Sequence, residues 1–194
     1  MLKRMAWPLL VAGLLVLVGC AHSPQTLDVR PALDSQPTRA GNQQPVVVVV
    51  NDTREDKTLG TRGGIYPQTS SLSLSDQVLP RLRAEVEAGV RALGYTPVPA
   101  GTPNAGQLTV SLAELTYQVP GEVAYVTEAN LTAAFTAQAR KGGEQYRGRY
   151  SASSNHRFGY APNQATNTRL VTEVMNDALT RLFKDPAIAE VLGR

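Results

Sequence analysis

Hydrophobic positions along this chain change period from segment to segment, and the period names the element in each. Pro45 introduces Val46, Val47, Val48, Val49 and Val50. Five β-branched residues in a row favour a strand over a helix. The run does not alternate, which predicts a central strand covered on both faces. Between residues 76 and 93, Leu79, Leu82, Val86, Val90 and Leu93 recur at three- and four-residue steps. That spacing predicts a helix with one buried stripe, capped by Ser75 or Asp76 and ended by Gly94. Residues 107–119 alternate, with Leu108, Val110 and Leu112 on one parity and Leu115 and Tyr117 on the other. A bulge near Ala113–Glu114 restores the register. Residues 122–140 alternate for longer, and the turn at 141–144 returns the chain through a strand carrying Tyr146, Gly148, Tyr150 and Ala152 on one face. Leu170, Val171, Val174, Ala178 and Leu182 then mark a second long helix over 163–184. Asp185–Pro186 opens a short last helix as cap and first residue.

Strand, helix, three antiparallel strands, helix predicts an α+β two-layer sandwich: a mainly antiparallel sheet with two long helices on one face. Residues 45–194 suit one such domain. The polar stretch 51–75 reads as loop, with a short strand near 71–75. Before Pro45, Pro24, Pro31, Pro37 and Gly41 interrupt residues 21–44. This segment reads as a flexible tether, in which residues 26–30 alternate enough to add an edge strand before Pro31.

The beginning of the chain has another character. Lys3 and Arg4 precede an apolar run that ends in Leu17, Val18, Gly19 and Cys20. A basic start, a short apolar stretch and small residues at its end describe a secretory signal peptide over residues 1–19. From Met5 to Gly19 the run is shorter than the ~20 residues that span a hydrocarbon core. Leu17–Cys20 resembles the bacterial lipobox, which implies acylation of Cys20 as the first residue of the mature chain. Two or three acyl chains hold stably where one does not. In lipoproteins of this type Asp after the cysteine commonly signals inner-membrane retention; Ala21 stands there instead. The expected place is therefore the outer membrane, on its periplasmic face.

Composition changes little in that picture. The net charge of +3 counts Lys3 and Arg4. Without them 17 basic side chains face 16 acidic ones, so nucleic acid is not an expected partner. Cys20 is the one cysteine and Trp7 the one tryptophan, so the chain beyond Cys20 has no disulfide to make.

Motifs for chemistry are sparse. The chain has no HExxH, no CxxC, no Walker loop and no GxSxG elbow, so no metal ligand set, cofactor or catalytic residue is expected. His22 lies two positions from Cys20, far in sequence from His156. Asp52, Arg54, Glu55, Asp56 and Lys57 cluster after the valine strand, where ligands gather in α/β sheets. Alternatively they form a solvated turn whose charges pair locally. Asp52, Arg54 and Arg62 are the candidate ligand or partner contacts. Glu128 sits on the wet face of a strand. Arg147, Arg149, His156 and Arg157 form a basic strip with Tyr146, Tyr150 and Tyr160 interleaved. The simpler reading has the tyrosines facing the core and the arginines facing water.

These pieces in this order resemble the YajG family of outer-membrane lipoproteins. The resemblance rests on Cys20, residues 26–31, the valine strand, Asp52-x-Arg54 with Leu59-Gly60-x-Arg62, residues 91–95, and Tyr146-x-x-x-Tyr150. It implies location and anchoring and carries no reaction, cofactor or catalytic residue. Small α+β lipoproteins with accessory roles in envelope machines, such as the lipopolysaccharide-assembly lipoprotein, look similar in architecture, which is a weak guide to function. The expectation is a non-enzymatic outer-membrane lipoprotein that binds another envelope component. The alternative is a binder of a small ligand or of peptidoglycan glycan through residues 51–75. An enzyme using Asp52 or Glu128 is the outlying reading. The partner's identity and the oligomeric state are not legible in the sequence.

Overall fold

The computed structural model describes residues 23–62, 69–120 and 127–194. Its centre is a mixed eight-stranded sheet, made of β1 (Gln25–Leu27), β2 (Pro45–Asp52), β3 (Thr58–Thr61), β4 (Ser71–Leu74), β5 (Thr96–Val98), β6 (Gly106–Gln118), β7 (Thr127–Lys141) and β8 (Glu144–Phe158). Among the described residues three helices accompany it: α1 (Val78–Ala92), α2 (Gln164–Phe183) and α3 (Pro186–Gly193).

This overturns the expected two-layer sandwich of mainly antiparallel strands. β6 pairs antiparallel with β7 along its whole length, and β7 does the same with β8. The other edge of β6 is shared by two parallel strands. β2 runs beside residues 106–112, and β3 meets it at Gly60–Tyr117. β5 is parallel to β2, and β1 is parallel to β4. Parallel neighbours need a crossover, and α1 supplies it between β2 and β5. The bulge between Leu112 and Glu114 falls where the parity change predicted it, and it bends the β6–β7 ladder.

The core lies under the inward rows of the sheet. Val46 and Val48, Leu108, Val110 and Leu112, and Leu131, Ala133 and Phe135 are all buried. α1 packs on β2 and β5, α2 on β7, β8 and β1, and α3 on β6, β7 and β8. The helix stripes match the spacing, with two corrections. Leu79 stays 38% exposed. The N-cap of α1 is Gln77, whose side chain makes no capping bond; Ser75 instead accepts Val78 N–H through its carbonyl. Gly94 does end α1, with φ +95°, and an added Cβ would stand 2.5 Å from Gly41 O.

The expected tether over residues 20–44 is, from Gln25 onward, part of the domain. β1 enters the sheet, Leu27 and Val29 are fully buried, and Ala40 and Gly41 both donate to Leu93 O. Polar composition misled here because the segment is held by specific bonds rather than by an apolar stripe. Leu33 N–H donates to Glu85, Ala32 N–H to Asn176, and Asp34 N–H to Thr180 Oγ1.

Candidate functional site

β2 ends at Asp52, and the next turn is built on the bulge of β6. Thr53 donates to Leu112 O from both its N–H and its hydroxyl, at 3.0 and 3.3 Å. Arg54 N–H donates to Asp52 Oδ1 at 3.1 Å, an Asx turn. The Arg54 side chain then folds back on the same carboxylate, Nε to Oδ1 at 3.0 Å and Nη2 to Oδ2 at 2.8 Å. Lys57 Nζ lies 3.3 Å from Oδ1. Partial burial pushes Asp52 up, but the hydrogen bonds and charge of Arg54, with help from Lys57, hold it below the usual carboxylate range. The Arg54 side chain is 5% exposed. In this side-on fork Nη1 turns away from the carboxylate, and among the described residues it has no hydrogen-bond partner.

Arg54 lines two clefts. One, of about 260 Å³, is walled by Leu74, Val78, Leu82 and Leu112 with Asp52 and Lys57 at the rim. The other, of about 530 Å³, is polar, with Glu55, Asp56, Glu114 and Thr116. The arrangement can hold a hydrogen-bond acceptor at Nη1 beside apolar or hydroxylated neighbours.

Arg62, the third candidate contact, lies elsewhere. β3 meets β6 five positions beyond the Asp52–Leu112 pairing, roughly 17 Å along the strand. Its N–H donates to Ser70 O, and its Nη2 donates to Ser23 O. Beside it Tyr117 donates to Asn167 Oδ1 at 2.9 Å, and Asn167 Nδ2 donates to Gln25 Oε1 and Pro162 O. Burial pulls the Arg62 guanidinium below its ordinary value, against the opposing effect of Tyr117. Burial pushes the Tyr117 hydroxyl up to about 12, against the charge of Arg62. Arg62 therefore works as a fastener of the chain's beginning. Cys20 lies outside the described residues, as do residues 63–68 of the expected 51–75 loop.

Glu128 accepts from Asn155 Nδ2 across the wet face, opposite Arg157 in register. Arg149 pairs with Glu114 at 2.6 Å. The arginines of β8 face water, and Tyr146 and Tyr150 turn inward. His156 shares the tyrosine side and stacks on Phe158 at 6.2 Å. Tyr160 departs from the expectation and is 82% exposed.

The inward tyrosines make a cluster that the sequence reading missed. Tyr146 and Tyr150 both donate to Asp185 Oδ2, at 2.7 and 2.5 Å, while Ala187 N–H donates to Oδ1. Partial burial pushes Asp185 up, and these three donors outweigh it and hold its carboxyl low. Burial, with the bond to Asp185, raises Tyr150 strongly. The same-face spacing of the two tyrosines was the available signal; nothing in it names Asp185. Asp185, Tyr95, Phe183 and Pro37 line a cavity of about 780 Å³ at this end of the fold. Among the described residues no cluster of three His, Cys, Asp or Glu could hold a metal, and no helix is long and apolar enough to cross a membrane.

Comparison with known proteins places the chain. It is similar to the uncharacterized lipoprotein YajG of Escherichia coli strain K12, at 28% identity over 99% of this chain and 97% of that one. Among solved structures it resembles protein XCC0632 from Xanthomonas campestris, with a TM-score of 0.54 and 11% identity over 87% of this chain and 96% of the other, a likeness of fold alone. The rare lipoprotein B from Shewanella oneidensis matches at 0.44 and 16% identity, over 75% and 96%, too distant to carry an argument. The family model for uncharacterized lipoproteins matches residues 31–193, from the segment before β2 to the end of α3, and the chain belongs to that family.

Proposed function

We propose that this protein is an outer-membrane lipoprotein, acylated at Cys20 and facing the periplasm, that serves as a non-enzymatic binding component of the cell envelope. The family supplies the lipoprotein; Ala21 after Cys20 supports the outer membrane. The observation that carries the non-enzymatic part is the Asp52–Arg54 fork. Both carboxylate oxygens accept from one guanidinium, so the acid is held ionised and occupied, a poor state for a general base. Cys20→Ala should block acylation and processing and move the protein out of the outer-membrane fraction. A variant that still matures and still fractionates there overturns the anchoring.

A second reading is favoured by one atom. Arg54 Nη1 is buried without a partner among the described residues, and an acceptor from a small ligand or a glycan would satisfy it. A photo-crosslinker at exposed Glu55, followed by mass spectrometry of solubilised outer membranes, separates the two readings. One dominant protein adduct supports an assembly component. Glycan adducts, lost in Arg54→Met, support the ligand site.

A further inference from the structure

We propose that the end of the domain carrying Ser23, Arg62 and Tyr160 is the surface this protein lays on the lipid bilayer; the proposal rests on the acylation of Cys20 argued above. Ser23 is three positions beyond Cys20. Three residues span at most about 11 Å, so an acylated Cys20 holds Ser23 within that distance of the headgroups. The leash can lengthen only by breaking bonds that tie Ser23 and the residues after it to the domain. Arg62 holds Ser23 O, and Asn167 holds Gln25. β1 is paired with β4, Gln164 donates to Thr26 O, and Leu27 is fully buried.

Register shows which residues share that end. β4 starts where β3 ends, and β3 ends beside Tyr117, near the end of β6. β7 begins and β8 finishes there, with Thr127 opposite Phe158. Two residues past Phe158 comes Tyr160, and Pro162 is tied through Asn167 to Gln25. Tyr160 is 82% exposed; the other large apolar side chain exposed among the described residues is Leu79, at 38%. A tyrosine has an apolar ring and a polar tip, which suits the bilayer interface better than water. Arg157 is exposed nearby on β8 and can reach lipid phosphates. The opposite end, with the hairpin at Lys141–Glu144 and Pro103, lies roughly 45 Å away along β7. It faces away from the membrane, and the cavity beside Asp185 and Gly193 faces that way too.

The chain's lone tryptophan makes the test clean, because processing at Cys20 removes Trp7. Tyr160→Trp and, separately, Pro103→Trp are purified as lipidated mature protein and reconstituted into vesicles of phosphatidylethanolamine and phosphatidylglycerol with or without doxyl-labelled phospholipid. Both positions are exposed, so neither change disturbs packing. The expected result is severalfold stronger quenching and a bluer emission for Tyr160→Trp than for Pro103→Trp. Equal quenching, or the reverse order, in protein that floats with the vesicles overturns the orientation and leaves the anchor standing. Protein that does not float at all overturns the anchor, and the orientation with it.

Discussion

Arg54 and Arg62 sit eight positions apart, and each is more than nine-tenths buried. Arg54 is neutralised by Asp52, two residues away, through a fork closed within one turn. Arg62 has no carboxylate partner among the described residues; its side chain finds a carbonyl 39 positions away. The first arginine is part of a self-contained turn that could bind something new. The second stitches distant parts of the chain together. Buried charge thus marks a candidate site in one place and a structural clasp in the other, and the difference lies in what faces the guanidinium.

The largest break in the comparison is expected at the glycine between them. Gly60 has φ +139°, and an added Cβ would stand 2.0 Å from Tyr117 O. The obstacle is backbone, so β3 must leave β6, and the Arg62–Tyr117–Asn167 clasp opens with it. Gly60→Ala should cost about 3 kcal/mol or more, read by chemical denaturation. A loss below about 1 kcal/mol would mean that the clasp does not depend on that close approach.

Next in size is Arg54→Met. It leaves Asp52 half-buried with Lys57 as its remaining cation, a case of one partner removed from a buried pair. The expected loss is about 2 kcal/mol. Asn167→Ala should cost a similar or slightly smaller amount, because the fully buried Asn167 serves Tyr117, Gln25 and Pro162 at once. Its signature is local: amide exchange in residues 25–27 rises well above that of β7. Arg62→Met should change global stability by less than about 1 kcal/mol, because it removes a buried charge that has no counter-ion among the described residues. It should still speed exchange near Ser23. If Arg62→Met proves as costly as Arg54→Met, the contrast between clasp and ion pair fails.

How much of this was legible follows from the distance over which each contact acts. Asp52-x-Arg54 was readable because donor and acceptor lie in one turn. The long strands β6, β7 and β8 were readable because alternation persists for 13 to 15 residues, long enough even to place the bulge. β3 and β5 are four and three residues long, one holding Gly60 and the other Pro97, too short for a period to show. Missing them hid the parallel pairings, and so the expected sandwich was wrong. Residues 25–44 looked like a tether because their partners, Glu85, Asn176 and Thr180, lie on helices far along the chain. Asp185 read only as a helix cap, since the hydroxyls that converge on it come from β8.

The smallest expected effect is a pH dependence that distinguishes the two arginines without destroying either. Asp52 is held below its ordinary value in the folded protein, whereas the unfolded chain returns it to about 3.9. As pH falls through that value the unfolded chain takes up the proton first. The stabilisation is therefore complete above about 3.9 and is lost as pH drops through the lower folded value. Arg54→Met removes the main cause of the depression and so should flatten the fall of Tm with acid. Arg62→Met should leave the slope as it is, because no carboxylate among the described residues pairs with Arg62. The flattening will be partial, since Asp185 is also held low and its three donors are untouched. Identical acid slopes for wild type and Arg54→Met would mean that the fork contributes no proton linkage, and the two arginines would then differ in geometry alone.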